Sequence, residues 1–154
     1  MPITKATTDD LGPILELQYL AYQSEARLLG RNDIPPLRQT LGEILLELQN
    51  GIILKAANEE GSIVGSVRGR IDGQTLHVGK LMVHPDLQGR GLGTQLLTAI
   101  EKFCPKQRYE LFTSDKSEKN IRLYERNGYV KFDARTIAPG LTLIFLEKRS
   151  KAWP

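Results

Sequence analysis

The residues whose spacing points to chemistry lie within 81–103, "LMVHPDLQGRGLGTQLLTAIEKF". Glycines recur at alternate positions, Gly89, Gly91 and Gly93, and a helical pattern opens directly after them. A helix N-terminus presents N–H groups with no intrahelical partner, together with the positive end of the helix dipole. Glycines at its mouth let a bulky anion approach the backbone closely. Gln88, Gly89, Arg90, Gly91, Leu92, Gly93 and Thr94 therefore read as a cradle for a pyrophosphate, and Arg90 adds a full positive charge. Neither common nucleotide motif applies. A P-loop requires Lys-Ser or Lys-Thr after its last glycine, where this chain has Thr94-Gln95. The pattern G-x-G-x-x-G fails at Thr94 in one register and at Leu96 in the other.

Such a cradle needs a strand ahead of it and a helix behind it, and the hydrophobic periodicity supplies both. "PITKAT" alternates as a first strand. A helix follows from an N-cap at Asp9-Asp10 to about Arg27, with Leu11, Ile14, Leu15, Gln18 and Tyr22 at helical spacing. "GRNDIPPL" ends it, since Gly30 and the Pro35-Pro36 pair do not continue a helix. Leu41, Ile44, Leu45 and Leu48 mark a second helix, closed by Asn50-Gly51. "IILKAA", "SIVGSVRGRI" and "TLHVGKLMV", joined by turn compositions, predict three antiparallel strands. A third helix runs from about Gly91 to Phe103, with Leu92, Leu96, Ile100 and Phe103 on one stripe. "RYELFTS" is a strand, "SEKNIRLYERN" a helix stopped by Gly128, and "YVKFDARTI" with "LTLIFLEK" a closing hairpin around Pro139-Gly140. The order is β-α-α-β-β-β-α-β-α-β-β, a mixed α/β (α+β) class. Its central sheet is mostly antiparallel, with about seven strands flanked by about four helices. The strand-helix-strand unit over 76–114 is expected to be a parallel crossover.

Composition sets the bounds. At 154 residues the chain is expected to form a single domain over 1–154. Its 21 basic residues are interspersed with 18 acidic ones for a net charge of +3, without the basic cluster that nucleic-acid binding calls for. Cys104 is the only cysteine, which excludes an intrachain disulfide and a thiolate metal site; it occupies an apolar position and reads as buried. No metal is expected. The N-terminus carries no secretory hydrophobic region, and the apolar run "LTLIFL" is far shorter than the ~20 residues of a membrane span. A cytoplasmic protein with no membrane contact is the expectation.

Two motifs together bring a family into view. "Q-G-R-G-L-G" after "L-M-V-H-P" resembles the acyl-CoA signature Q/R-x-x-G-x-G/A of the GNAT superfamily of N-acetyltransferases. "N-I-R-L-Y-E-R-N-G-Y", from Asn120 to Tyr129, is similar to that family's later helix, and the inferred element order matches over essentially the whole chain. The resemblance implies acetyl-CoA as cosubstrate and an amine acceptor, small molecule or peptide, that attacks the thioester directly. It implies that "GKLMV" and "YELFT" splay apart and that Leu81 and Val83 bond the pantetheine arm through the main chain. The backbone N–H near Met82 is expected to face the thioester carbonyl. Main-chain groups of Gln88, Gly89, Arg90, Gly91, Gly93 and Thr94 are expected to hold the pyrophosphate. Asn120 and Tyr124, four apart on one helical face, would meet the pantetheine and the departing thiolate, with Tyr124 as general acid.

Other roles stay open at this level. His77 and Glu110 are candidate bases, neither of them placed by the residues alone, and His84 belongs to the turn before Pro85. Tyr129 reads as core. Tyr22, Glu25 and Asp33 are candidates for receiving a cationic amine. A non-catalytic acyl-CoA sensor of the same fold is the alternative, and the resemblance leaves room for a homodimer.

Overall fold

The structure, a computed structural model, describes residues 1–150. One sheet of seven strands has the order β1-β2-β3-β4-β5-β7-β6. The strands are β1 (Ile3–Lys5), β2 (Gly51–Ala57), β3 (Ile63–Asp72), β4 (Thr75–Val83), β5 (Arg108–Ser114), β6 (Val130–Ala138) and β7 (Leu141–Arg149). All neighbours are antiparallel except β4 and β5, joined by the crossover helix α5 (Leu92–Phe103). The mixed, mostly antiparallel sheet inferred from the sequence is what forms.

The helices are more numerous than the periodicity predicts. The first expected helix is two, α1 (Leu11–Ala21) and α2 (Gln23–Leu29), with Tyr22 between them at φ −84°, ψ 1°. Pro35 and Pro36 do not merely break helix; they open a short one, α3 (Pro35–Arg38), because proline fits the first turn, where no N–H is required. Beyond it lie α4 (Leu41–Gln49) and α6 (Glu118–Arg126). Asp10 does not cap α1 with its side chain. Its carboxylate instead accepts from the Thr7 N–H at 2.8 Å and from Lys55 at 2.8 Å. The Lys55 and Thr7 bonds together hold that carboxyl below the usual range, against the opposing effect of burial.

Two apolar layers cover the sheet. On one face, Leu92, Leu96, Leu97 and Ile100 of α5 pack with Tyr124 and Tyr129 on Val67, Leu76, Val78 and Leu111. Fully burying a leucine-sized side chain is worth about 1.5–3 kcal/mol, so four of them anchor α5 firmly. Phe103, expected on that stripe, is exposed, and Cys104 is half-buried rather than buried. On the other face Leu11, Ile14 and Ile44 of α1 and α4 cover Ile53.

Candidate active site

The site forms where the sheet opens. β4 and β5 pair only at Thr75–Arg108, Leu76–Tyr109 and His77–Glu110. From there β5 follows β7 through Ser114, while β4 continues on β3 through Val83. The strands therefore diverge, as the resemblance implies, and the β4 edge beyond His77 has no strand beside it. His77 and Glu110 lie at the closed end of this gap, with His77 Nδ1 3.5 Å from a Glu110 oxygen, and Arg108 bridges Glu110 and Glu147. Both candidate bases thus lie in a polar group where β4 and β5 are still paired, short of the point at which the strands part.

Ladder alternation decides which β4 amides face the gap. The His84 N–H donates to the Val64 carbonyl, and Val83 and Met82 stand opposite Gly65 and Ser66. In an antiparallel pair, inward and outward residues alternate. His84 and Met82 are therefore turned to β3, whereas Leu81 and Val83 present their main-chain groups to the gap. This corrects the expectation for Met82: its N–H is taken by the ladder, its side chain is buried, and the outward donors are those of Leu81 and Val83. The Val83 carbonyl on that edge is approached by Gln88 Nε2 at 3.4 Å.

At the mouth stands the N-terminus of α5. Gly91 is its N-cap with φ +85°, and Gly89 has φ +78°, left-handed values that side chains rarely adopt. Nothing within 4 Å would meet a Cβ at either. No side chain caps the helix, so its first N–H groups are left to a ligand. Gly93 has a different reason: a Cβ there would sit 3.3 Å from Leu123 Cδ2, so this glycine admits α6 against α5. The helix α6 and its C-cap also hold the cradle, by Lys119 to Gln88 Oε1 at 3.1 Å and by the capping Asn127 to Thr94 Oγ1 at 3.4 Å. Arg90 is exposed beside it. These open, glycine-lined amides fit a pyrophosphate.

Across the gap, α6 presents Asn120, whose Nδ2 lies 3.4 Å from Thr113 Oγ1 of β5, and the buried Tyr124. Burial raises the Tyr124 hydroxyl's pKa well above the usual tyrosine range, with Tyr22 and Glu25 adding to the shift. Tyr19, Tyr109 and Tyr129 hydrogen-bond through their hydroxyls. Tyr22 and Tyr124 have no such partner among the described residues. Glu25 reaches from α2 to Ser117 Oγ, at 3.1 and 3.2 Å, and burial raises its carboxyl pKa while that bond opposes the rise. Asp33, by contrast, is exposed and paired with Arg31 at 3.1 Å, away from the opening. Tyr129 is core, with its hydroxyl on Glu101 at 2.9 Å, and His84 accepts from Asp86 N–H within its own turn.

The sequence reading missed two residues here. Arg68 of β3 is 4% exposed although charged. Lys80 of β4 has φ +50°, the only non-glycine positive value among the described residues. It occupies a bulge, in which Lys80 and Leu81 of β4, between Gly79 and Met82, stand against the single residue Val67 of β3, between Ser66 and Arg68. A "VGK" in a strand is the only trace this leaves in the sequence.

A profile of the Acetyltransferase (GNAT) family matches residues 15–129. The chain belongs to that family. The acetyltransferase ECA0875 of Pectobacterium atrosepticum is 36% identical over 90 residues, which are 55% of this chain and 62% of that protein. The chain thus spans less than two thirds of that curated relative's length. Among solved structures, the PaiA N-acetyltransferase of Thermoplasma acidophilum in complex with coenzyme A superposes with TM-score 0.79 at 15% identity, over 97% of this chain and 98% of that one. YncA of Salmonella typhimurium, solved with acetyl-CoA, gives 0.72 at 22% identity, over 100% and 97%. These likenesses show the fold. No helix among the described residues is long and apolar enough to cross a membrane.

Proposed function

We propose that the chain is an N-acetyltransferase that takes acetyl-CoA as acyl donor and a primary amine, of a small molecule or a peptide, as acceptor. One observation carries this reading: the unpaired β4 edge, the uncapped α5 N-terminus and the unpartnered Tyr124 hydroxyl border one gap. Main-chain groups of Gln88, Gly89, Arg90, Gly91, Gly93 and Thr94 hold the diphosphate, and Leu81, Val83 and Asn120 align the pantetheine. The acyl donor supplies a thioester carbonyl, on which the amine nitrogen forms its new bond while the carbon–sulfur bond breaks. The Leu81 N–H, outward-facing and within the bulge, stabilises the developing oxyanion in place of Met82. The amine attacks in its neutral form; Tyr124 gives its proton to the leaving sulfur and is restored by the N–H proton that the nitrogen loses as the amide forms, its raised pKa keeping the hydroxyl protonated throughout the physiological range. Holding amine and thioester in one gap removes much of the entropic barrier to their meeting.

The test measures free thiol from acetyl-CoA over a panel of primary amines, beside calorimetric binding of coenzyme A. Thiol release that depends on the amine supports the transferase. Tight coenzyme A binding with no thiol from any amine identifies a sensor instead.

A further inference from the structure

The acceptor side of the gap carries an unbalanced pair of cations. Arg68 and Ser66 of β3 face α1 and α4. The Arg68 guanidinium donates through Nη1 to Gln39 Oε1 and Glu47 Oε2, both at 2.8 Å, and through Nη2 to Gln18 Oε1. Its Nε is buried without a partner among the described residues. An orphaned donor on a buried charge is costly, and this one is sealed from the opening, so it adds to the uncompensated positive field without itself reaching a ligand. Lys80 stands beside it: the register sets Gly79 opposite Arg68, and the bulge turns Lys80 to the same face. Lys80 forms neither an ion pair nor a hydrogen bond among the described residues. Burial lowers its pKa below the usual lysine value, with Glu47 opposing the shift and Arg68 adding to it. One guanidinium and one ammonium group thus stand near a single carboxylate, Glu47, which among the described residues forms an ion pair with Arg68 alone. Glu25 and the hydroxyls of Tyr22 and Tyr124 form an electronegative counterpart, with Tyr22 near enough to feel both Glu25 and Arg68.

We infer that the acceptor is an amino acid-like zwitterion whose carboxylate sits on Lys80 Nζ, within the positive field of Arg68, with its amine directed toward Glu25 and the thioester. This rests on the transferase reading and names its substrate class.

The experiment presents L-amino acids and their C-terminal amides, with ethylamine as the plain amine, to the full chain with acetyl-CoA. Thiol release is followed together with calorimetric binding of each acceptor in the presence of coenzyme A. Free acids are expected to exceed their amides on the order of tenfold to a hundredfold in kcat/KM, as a charge-assisted contact implies. Lys80→Met should bring that ratio toward one and leave coenzyme A affinity unchanged, with Lys80→Arg restoring part of it. Amides that equal the acids in the unaltered protein overturn the inference without recourse to any variant, as does a ratio that Lys80→Met leaves intact. A protein that binds coenzyme A yet neither binds nor acetylates any free acid overturns the inference and leaves the cosubstrate site standing. One that binds free acids through Lys80 but yields no thiol overturns the transferase reading and supports the anion seat.

Discussion

Replacing Gly91 by Glu and, separately, by Gln separates the two properties of the cradle. Both side chains force a left-handed φ of +85° on a residue with a Cβ, a cost of about 1–2 kcal/mol. Neither meets an obstacle at the Cβ, because nothing lies within 4 Å. Against a stability of about 5–15 kcal/mol the chain still folds, with Tm lower by about 2–8 °C in both variants. Only Glu adds a negative charge, and from position 91 it lies about 5 Å from where a phosphate oxygen meets the first α5 amides. At an effective dielectric between about 20 and 80 that repulsion amounts to about 1–3 kcal/mol, or roughly 5- to 150-fold in Kd between the two variants. Isothermal titration with coenzyme A reads the ratio, and repeating it at high salt should shrink it, since the position is exposed. Equal affinities of folded Gly91→Glu and Gly91→Gln proteins would refute the placement of the diphosphate on α5.

Two other substitutions test the chemistry and the burial around it. Tyr124→Phe should lower turnover by at least about tenfold while coenzyme A affinity changes little, as expected for proton donation in the transition state; an unaltered kcat removes Tyr124 from the mechanism. Glu25 has a folded-state pKa raised chiefly by burial, so its contribution to stability is complete below the unfolded value of about 4.3 and is lost as pH rises through the higher folded value. Glu25→Gln should therefore gain stability relative to the unaltered protein as pH rises from the unfolded carboxyl value through the higher folded one, read by denaturant titration at each pH. Parallel pH dependences would show that the folded environment leaves this carboxyl untouched.

How much of this was legible in the sequence follows from what each feature depends on. Strands β4 and β5 appear in full as alternating runs, because local periodicity records which residues are buried. The break at Tyr22 does not, since the apolar spacing continues through it and only docking of α2 bends the chain there. Pro35-Pro36 signals an interruption equally well whether it ends a helix or begins one. The cradle glycines were found by composition, but their separate reasons required coordinates: φ at 89 and 91, and Leu123 across the helix interface at 93. The turning of Met82 toward β3 depends on a register set by hydrogen bonds to another strand. Arg68 was passed over for a similar reason. In "SVRGR" it looks like a solvated charge, and its partners Gln18, Gln39 and Glu47 come from elements 21 to 50 positions earlier in the chain.

The three-pair ladder between β4 and β5 has a mechanical meaning. Among the described residues it is the only strand ladder between the half-sheet of β1 to β4 and that of β5 to β7, so the sheet has a seam. A pantetheine laid along the bare β4 edge takes the place of the strand that is missing there. On the proposed function, cargo would then act as mortar, and the loaded protein would be stiffer than the empty one.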